Sequence, residues 1–373
     1  MNNTKGGDHM GWDGSRIKVL SRERHVSLVQ LAGQLKVSRQ TINDWIKGQV
    51  PKGTHLVELC RFLNVSPSSF FTEETVPQIS RPLHRIKGAA KLSEAMDTGA
   101  RELASDYEGL FRFAPTPGLV PVLRGGKDKE TAHIIAQELR LRAQIDADKP
   151  MGYEHTFNLL AKLNIVCIFR KFHVDIKSYA LYCRIHNHRV VFINTKTNIL
   201  DLIFPLLHET MHAVRDGEGT TFYDEEEEAF CDVAAGHIQF PDNYVDMVFD
   251  FIDGKPIAQQ INTLKMFSRI HGHSIFGIYT QIKSRHEEIN LRTGGADTNL
   301  KKEFPSIGEI LFKSSEPLEY ISHLRKLSPL FFDIVSRQID NPSTRKFGEW
   351  LGLDTTLDAE LAHKEWRKIL ECM

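Results

Sequence analysis

The sequence of 373 residues has no long hydrophobic run. No apolar stretch comes near the ~20 residues that a membrane-spanning helix needs, so we expect no contact with a membrane. The polar start, MNNTKGGDHMGWDG, also lacks the apolar segment of a secretory signal. These absences predict a cytoplasmic protein.

Cysteine is scarce, and the cysteines show no paired spacing in the sequence. The five cysteines are odd in number and scattered, with no C-x-x-C pair. This argues against a disulfide framework and against a zinc site built from cysteine. With 41% hydrophobic and 25% charged residues, the composition is nevertheless that of a globular protein.

Net charge is also nearly absent, because 47 Lys and Arg face 48 Asp and Glu, for a total of −1. A neutral total argues against a nucleic-acid binder only if the charges are evenly spread. They are not, since residues 14–64 carry nine basic and three acidic residues, a surplus of +6. That surplus favours contact with phosphates.

Hydrophobic periodicity predicts an α+β protein that is mostly helical, with one small sheet in the middle. We predict helices within 14–71 and over about 89–111, 129–145 and 153–162, and then strands near 165–169, 179–184 and 189–194. The last two strands should form a hairpin. Beyond residue 199 the pattern is helical almost to the end, with breaks near 216–221, 253–256 and 293–299.

Residues 27–47 predict two short helices joined by a tight turn. Ser27 and Ser38 stand where N-cap residues are expected. The first helix has an apolar face at Leu28, Leu31, Ala32 and Leu35, and the second buries Ile42, Trp45 and Ile46. A second helix with a polar start suits contact with base edges, as in a helix-turn-helix. A generic helical bundle with solvated charges is the alternative.

The stretch from Leu31 to Gly48 closely resembles the XRE/Cro-like helix-turn-helix family, whose five-helix layout fits about residues 14–71. The resemblance implies that Gln40 and Asn43 contact bases, most often adenine. It implies that Arg39 and Lys47 contact guanine or phosphate, and that Ser38 and Thr41 hydrogen-bond the DNA backbone. A palindromic operator and a homodimer are expected. The same fold could instead bind another protein.

An H-E-x-x-H motif, His208-Glu209-x-x-His212, stands in an otherwise apolar predicted helix. The spacing of four puts both imidazoles on one helix face, so both can reach one zinc ion. Glu209 is the candidate general base that takes a proton from the attacking water. Chance would give only about 0.05 such matches in a chain of this composition. We therefore predict Zn²⁺ as cofactor.

A catalytic zinc ion takes three protein ligands, so a third is needed from a neighbouring helix. The acidic run 224–228 leads into an apolar helix, and most of it is expected to be a solvated helix start. Glu228 is the preferred ligand because Asp232 follows one turn later and could orient a ligand histidine. Glu227, Glu225 and His237 are the alternatives.

Residues 128–245 resemble the ImmA/IrrE-type metallopeptidases. The resemblance is carried by the helix around 136–140, the strands ending near 169 and 194, the His208–His212 motif and Glu228-x-Phe230-Cys231-Asp232. It implies a zincin-like (gluzincin) fold in which His208, His212 and Glu228 hold zinc and Glu209 is the base. Ile238-Gln239-Phe240-Pro241 replaces the family's usual Leu-Leu-Met-Pro-like end, which concerns substrate positioning more than the metal.

The two resemblances together predict four parts. These are a helix-turn-helix domain (14–76), a helical connector (82–127), a zinc metallopeptidase domain (128–250) and a helical C-terminal region of unknown role (251–373). His271, His273 and His286 in the last part are expected at the surface, and Trp350 and Trp366 in the core or an interface.

The implied function is that of a DNA-binding zinc endopeptidase, of bacterial or mobile-element origin, that regulates transcription by cleaving a helix-turn-helix repressor. One alternative is a regulator whose metal domain senses a ligand or metal without proteolysis, in which Glu209 would be dispensable. Another is a component of a toxin–antitoxin or phage-defence system.

Overall fold

A computed structural model describes residues 11–12, 14–24, 26–65, 67–72, 79–80, 83–84, 94–216, 224–312 and 316–372. The chain divides into two compact units, residues 1–77 and 78–373. The architecture is mostly helical with a small sheet, as predicted. No helix in the described part is both long and apolar enough to cross a membrane.

The N-terminal unit is a cluster of short helices. They are α1 (Ser15–Glu23), α2 (Leu28–Gln34), α3 (Arg39–Ile46) and α4 (Gly53–Leu63), followed by a 3₁₀ turn (Pro67–Phe70). The described residues of this unit thus form four α-helices, where the predicted layout has five. Two short strands, β1 (Gly11–Trp12) and β2 (Phe71–Thr72), pair antiparallel. The expected caps are present: Ser27 forms a capping box with Gln30, and Ser38 accepts from the Thr41 amide.

The core of this unit brings α2 and α3 together with the other helices. Leu31, Leu35, Ile42 and Trp45 are all buried in it, as predicted from their spacing. Gly14 lies so close to the carbonyl oxygen of Trp45 that a Cβ there would collide with it. A glycine is therefore required where the chain enters α1.

The second unit begins with a mixed sheet and the helices that cover it. Its strands are β3 (Leu83–His84), β4 (Ile165–Arg170), β5 (Ala180–Ile185) and β6 (His188–Asn194), in the order β3-β5-β6-β4. β5 and β6 form the predicted hairpin, and β4 runs parallel to β6. The first helices are α5 (Glu94–Ser105), α6 (Glu108–Arg112), α7 (Lys129–Ala143), α8 (Tyr153–Lys162), α9 (Ile199–Arg215) and α10 (Glu225–Gln239).

Nine further helices follow in the described part of the C-terminal half. They are α11 (Asp242–Ile252), α12 (Ile257–His271), α13 (Ile275–Arg285), α14 (Gly294–Lys301), α15 (Ile307–Leu311), α16 (Pro317–Leu327), α17 (Pro329–Ser336), α18 (Thr344–Leu351) and α19 (Thr356–Glu371). A continuous hydrophobic core extends from α5 to α19 and includes Trp350 and Trp366, both buried as predicted.

That core runs through the predicted connector, peptidase domain and C-terminal region. Tyr107 donates a hydrogen bond to the Trp350 carbonyl at 2.9 Å, and Gln338 donates one to the Leu110 carbonyl at 2.6 Å. These bonds tie the connector to the last third of the chain. The finer division of residues 82–373 into three parts stays a prediction.

Two predicted element boundaries differ from the structure. The predicted helix over 89–111 is broken between α5 and α6, and residues 89–93 lie outside the described residues. The break predicted at 293–299 is helix α14 instead. There the buried Asp297 carboxylate accepts from the Phe276 amide and pairs with Lys301, which outweighs the poor helix propensity of two glycines.

The histidines expected at the surface lie deeper than predicted. His273 is fully buried, and His271 and His286 are half-buried. His273 sits between α12 and α13, where its Nδ1 is 3.0 Å from the side-chain amide of Gln239. Packing of these helices therefore overrides the polarity that the sequence suggests.

Candidate DNA-binding helix and candidate metal centre

Helix α3 presents the polar side chains that the sequence singled out for DNA contact. Arg39, Gln40 and Lys47 are exposed, as is the capping residue Ser38, while Thr41 and Asn43 are half-buried. Ile42 and Trp45 anchor the opposite face in the core. The helix therefore separates a polar surface from a fixed apolar base.

Three of these side chains, those of Gln40, Ser38 and Thr41, already have partners within the protein. The Gln40 amide donates to the Asp44 carboxylate at 2.8 Å, one turn along the helix. The Ser38 hydroxyl lies 2.8 Å from that of Thr41 while it also accepts from the Thr41 amide. Ser38 is thus the N-cap of helix α3 as well as a candidate contact to the DNA backbone.

The positive charge of this unit lies at its surface. The nine basic residues between 14 and 64 are all exposed: Arg16, Lys18, Arg22, Arg24, Lys36, Arg39, Lys47, Lys52 and Arg61. Exposed cations can displace the counterions that surround DNA, which supplies affinity without sequence preference. Local charge, rather than the neutral total, governs this surface.

The H-E-x-x-H motif occupies the buried helix α9. Asn198 caps this helix by accepting from the Leu200 amide, and residues 205–214 are all buried. Helix α10 begins after Asp224, whose carboxylate accepts from the Glu226 amide at 3.0 Å. Acidic side chains in the first turn of α10 are favoured by the helix dipole. The two helices pack together and so place a glutamate beside a histidine pair.

The structure brings His208, His212 and Glu228 to one point. The Nε2 atoms of the two histidines are 3.0 Å apart. Glu228 Oε2 lies 3.2 Å from His208 Nε2, and its Oε1 lies 3.2 Å from His212 Nε2. Ligand atoms held ~2.0–2.2 Å from a tetrahedral zinc ion would be separated by about 3.3–3.5 Å. Two imidazole nitrogens and one carboxylate at this spacing fit a zinc ion.

Charge interactions within this centre shift the pKa values of its members. Burial opposes a charge on His208, but hydrogen bonds to the Asp232 and Glu228 carboxylates outweigh it and raise the pKa of His208 to about 9. Burial lowers the pKa of His212. For Glu228, burial acts upward, but hydrogen bonds from the two histidines prevail and lower its pKa to about 2. The centre therefore favours a positive charge beside an ionised carboxylate.

Asp232 lies behind His208, the first histidine of the motif. Its Oδ1 is 2.9 Å from Nδ1 of His208, the ring nitrogen that points away from Glu228. A carboxylate in this position fixes the orientation of the ring and leaves Nε2 free for another partner. The i, i+4 spacing of Glu228 and Asp232 thus serves two different atoms of one histidine.

Glu209 is fully buried on α9. Burial, and next the charge of Glu209, raise the pKa of the Cys183 thiol on β5. Glu209 is the next residue after His208 in the chain, and the charge of its carboxylate also acts on His208 and on the Cys231 thiol.

The alternative third ligands have other positions. Glu227 forms an ion pair with Arg215 and lies 3.6 Å from Lys127 Nζ, and Glu225 is exposed. His237 lies 3.4 Å from Asp242. Of the four candidates, Glu228 alone among the described residues joins the histidine pair in one cluster.

Cys231 is a neighbour of the centre that was predicted only as part of the Glu228-x-Phe230-Cys231-Asp232 motif, with no role of its own. Its buried Sγ lies 3.7 Å from Nδ1 of His212. Its position three residues after Glu228, on the same turn of α10, was the available signal. A sulfur there can accept a hydrogen bond from the His212 ring, as Asp232 can from His208.

A cavity of about 1340 Å³ adjoins the centre. Its walls come from α7, α9, α10, α13, α14 and the start of α11, and Asp232 lines it while contacting His208. The cavity is larger than the ~300–1,000 Å³ of most small-molecule pockets. It offers space for an extended ligand beside Asp232, on the side of the His208 ring that faces away from Glu228.

Comparison with known proteins identifies a family for part of the N-terminal unit. A helix-turn-helix family model matches residues 20–70. No curated protein and no solved structure matches the chain. The match covers the region whose caps, core and exposed charge are described above. The N-terminal unit is a DNA-binding helix-turn-helix domain, and the chain is a DNA-binding transcription regulator.

Proposed function

We propose that this regulator is a zinc-dependent endopeptidase that controls transcription by cleaving a helix-turn-helix repressor. The observation that carries the proposal is the spacing of His208 Nε2, His212 Nε2 and the Glu228 carboxylate, each 3.0–3.2 Å from the next. Such a donor set suits a catalytic zinc ion, which leaves one position open for water or substrate.

In this proposal His208, His212 and Glu228 hold the metal, and Asp232 and Cys231 orient the two rings from behind. Zinc, when bound, supplies a Lewis acid that polarises the amide carbonyl and makes water more acidic. Glu209 takes the proton from the attacking water and delivers it to the leaving amide nitrogen. Its burial on α9 keeps this carboxylate away from bulk water.

The resemblance of residues 128–245 to ImmA/IrrE-type metallopeptidases supports a polypeptide substrate, and a helix-turn-helix repressor in particular. The helix-turn-helix domain would hold the peptidase at the operator where the repressor acts. In this scheme Gln40 and Asn43 contact bases of a palindromic operator, and the contacts to guanine or phosphates come from Arg39, Lys47, Ser38 and Thr41.

The test combines metal analysis with proteolysis. Purified protein and a Glu209→Gln variant are assayed for zinc and incubated with helix-turn-helix repressors encoded near the gene, and products are identified by mass spectrometry. Both proteins should hold one zinc ion in the His208 centre, and only the wild type should cut. Glu226→Gln, which removes an exposed carboxylate from the first turn of α10, is the matched control and should cut normally.

Two results would count against the proposal. Protein without zinc would contradict the metal centre itself. Bound zinc with no Glu209-dependent cleavage would favour the second candidate, a regulator that senses a ligand in the cavity beside Asp232. Both candidates predict DNA binding, so Glu209 is the residue that separates them.

A further inference from the structure

A second group of metal-ligating side chains lies in the wall of the same cavity. His133 is on α7, His237 is in the last turn of α10, and Asp242 is the first residue of α11. Each offers one ligand atom, and these atoms all lie within 4.8 Å of one another. The three residues come from three helices and share no member with the His208 centre.

The geometry of this group approaches that of a metal site. His237 Nδ1 is 3.4 Å from Asp242 Oδ1, which is close to the ~3.3–3.5 Å edge of a tetrahedral zinc site. The rings of His133 and His237 meet edge to face, with centroids 5.3 Å apart. His133 is half-buried, and its Nε2 lies 2.8 Å from the side-chain amide of Gln137, a contact that must rearrange if this nitrogen is to reach a shared ion.

The two oxygens of Asp242 face different partners. Arg285 approaches Oδ2 at 2.9 Å, and Oδ1 faces His237. The guanidinium also pairs with Asp246 at 2.8 Å, and Asp246 in turn lies 3.1 Å from Nε2 of His286. Oδ1 is therefore the oxygen that Asp242 can offer to a metal ion beside His237.

We propose that His133, His237 and Asp242 form a second site for a divalent transition-metal ion of the Zn²⁺ or Co²⁺ type. Two imidazoles and a carboxylate select such ions over Mg²⁺ and Ca²⁺, which prefer oxygen ligands alone. Because these ligands are half-buried and one must move, the site binds more weakly than the His208 centre. A bound ion joins α7, α10 and α11 and stiffens one wall of the cavity.

The experiment counts metal sites in the full chain. Protein stripped with a chelator is titrated with Zn²⁺ by calorimetry and with Co²⁺ by visible absorption. Wild type should bind two ions, with affinities that differ about tenfold or more. His237→Ala should lose the weaker ion and keep the tighter one, and His208→Ala should do the reverse.

His173→Ala is the matched control, because His173 forms an exposed pair with Asp175 at 2.9 Å. It should leave both binding steps unchanged. His133→Gln, on a different helix, should also lose the weaker ion. It replaces His237→Ala as the test variant if circular dichroism shows that His237→Ala does not fold. The proposal is overturned if His237→Ala and His133→Gln bind two ions as the wild type does, or if wild type binds only the ion that His208→Ala removes. Absence of the tight site alone would instead contradict the zinc peptidase.

Discussion

Replacing Asp232 with alanine should weaken zinc binding about tenfold. The Oδ1 atom of Asp232 is 2.9 Å from His208 Nδ1, so the substitution frees the ring that supplies one zinc ligand. Loss of such a partner typically costs about 10- to 100-fold in metal affinity. Because the Asp232 side chain is 47% exposed, solvent screens its charge, and we expect the lower end of that range. Tenfold corresponds to about 1.4 kcal/mol.

The assay is competition for Zn²⁺ against a chromophoric chelator of known affinity. Asp232→Asn, which keeps an oxygen near the ring but removes the charge, should fall between wild type and Asp232→Ala. Glu226→Ala removes an equal charge from an exposed site on the same helix and should bind zinc as wild type does. An affinity for Asp232→Ala within about twofold of wild type would refute the role given to this carboxylate.

Three further predictions concern other parts of the chain. Gly14→Ala should lower the free energy of unfolding of the N-terminal unit by more than about 2 kcal/mol, because its Cβ would collide with the Trp45 carbonyl oxygen. Gly33→Ala, which has open space around it, should raise that free energy by about 0.5–1 kcal/mol. Equal melting temperatures for the two variants would contradict this reasoning. Asn43→Ala should cost about 1–3 kcal/mol in binding to the operator but little in binding to random DNA, as measured by fluorescence anisotropy; equal losses would argue against base contact. Burial lowers the pKa of His273 to about 3, so this group is neutral when folded and becomes protonated on unfolding below pH ~6.5. Stability is therefore lost as pH falls from about 6.5 toward 3. In urea unfolding, wild type should lose about 2 kcal/mol more than His273→Gln does between about pH 7 and pH 5. Equal losses in the two proteins would contradict the burial of a neutral ring.

Local spacing made the main elements predictable. The caps Ser27 and Ser38, and the apolar positions of α2 and α3, follow from interactions three or four residues apart, and the structure has them as expected. The same holds for the histidines of α9, since i, i+4 positions share a helix face. Predicting Glu228 as the third ligand required one further inference, that α10 packs on α9.

Long-range packing accounts for what the sequence could not supply. His133 and His237 lie far apart in the chain, on α7 and α10, so no spacing rule joins them. The start of α14 depends on the hydrogen bond that the Phe276 amide donates to the Asp297 carboxylate, and the glycines at the start of this helix do not predict that contact. His273 is buried because α12 and α13 turn it inward against Gln239. Such contacts depend on how helices distant in sequence meet.

The central claim is that Glu209 acts as the base of a zinc-dependent peptidase. The most direct measurement is the initial rate of repressor cleavage by zinc-loaded wild type and zinc-loaded Glu209→Gln at equal concentration. Chelation should abolish cleavage, and Glu209→Gln should lower its rate by about a hundredfold or more, as loss of a general base does. Equal rates in the two proteins, or cleavage that survives chelation, would contradict it.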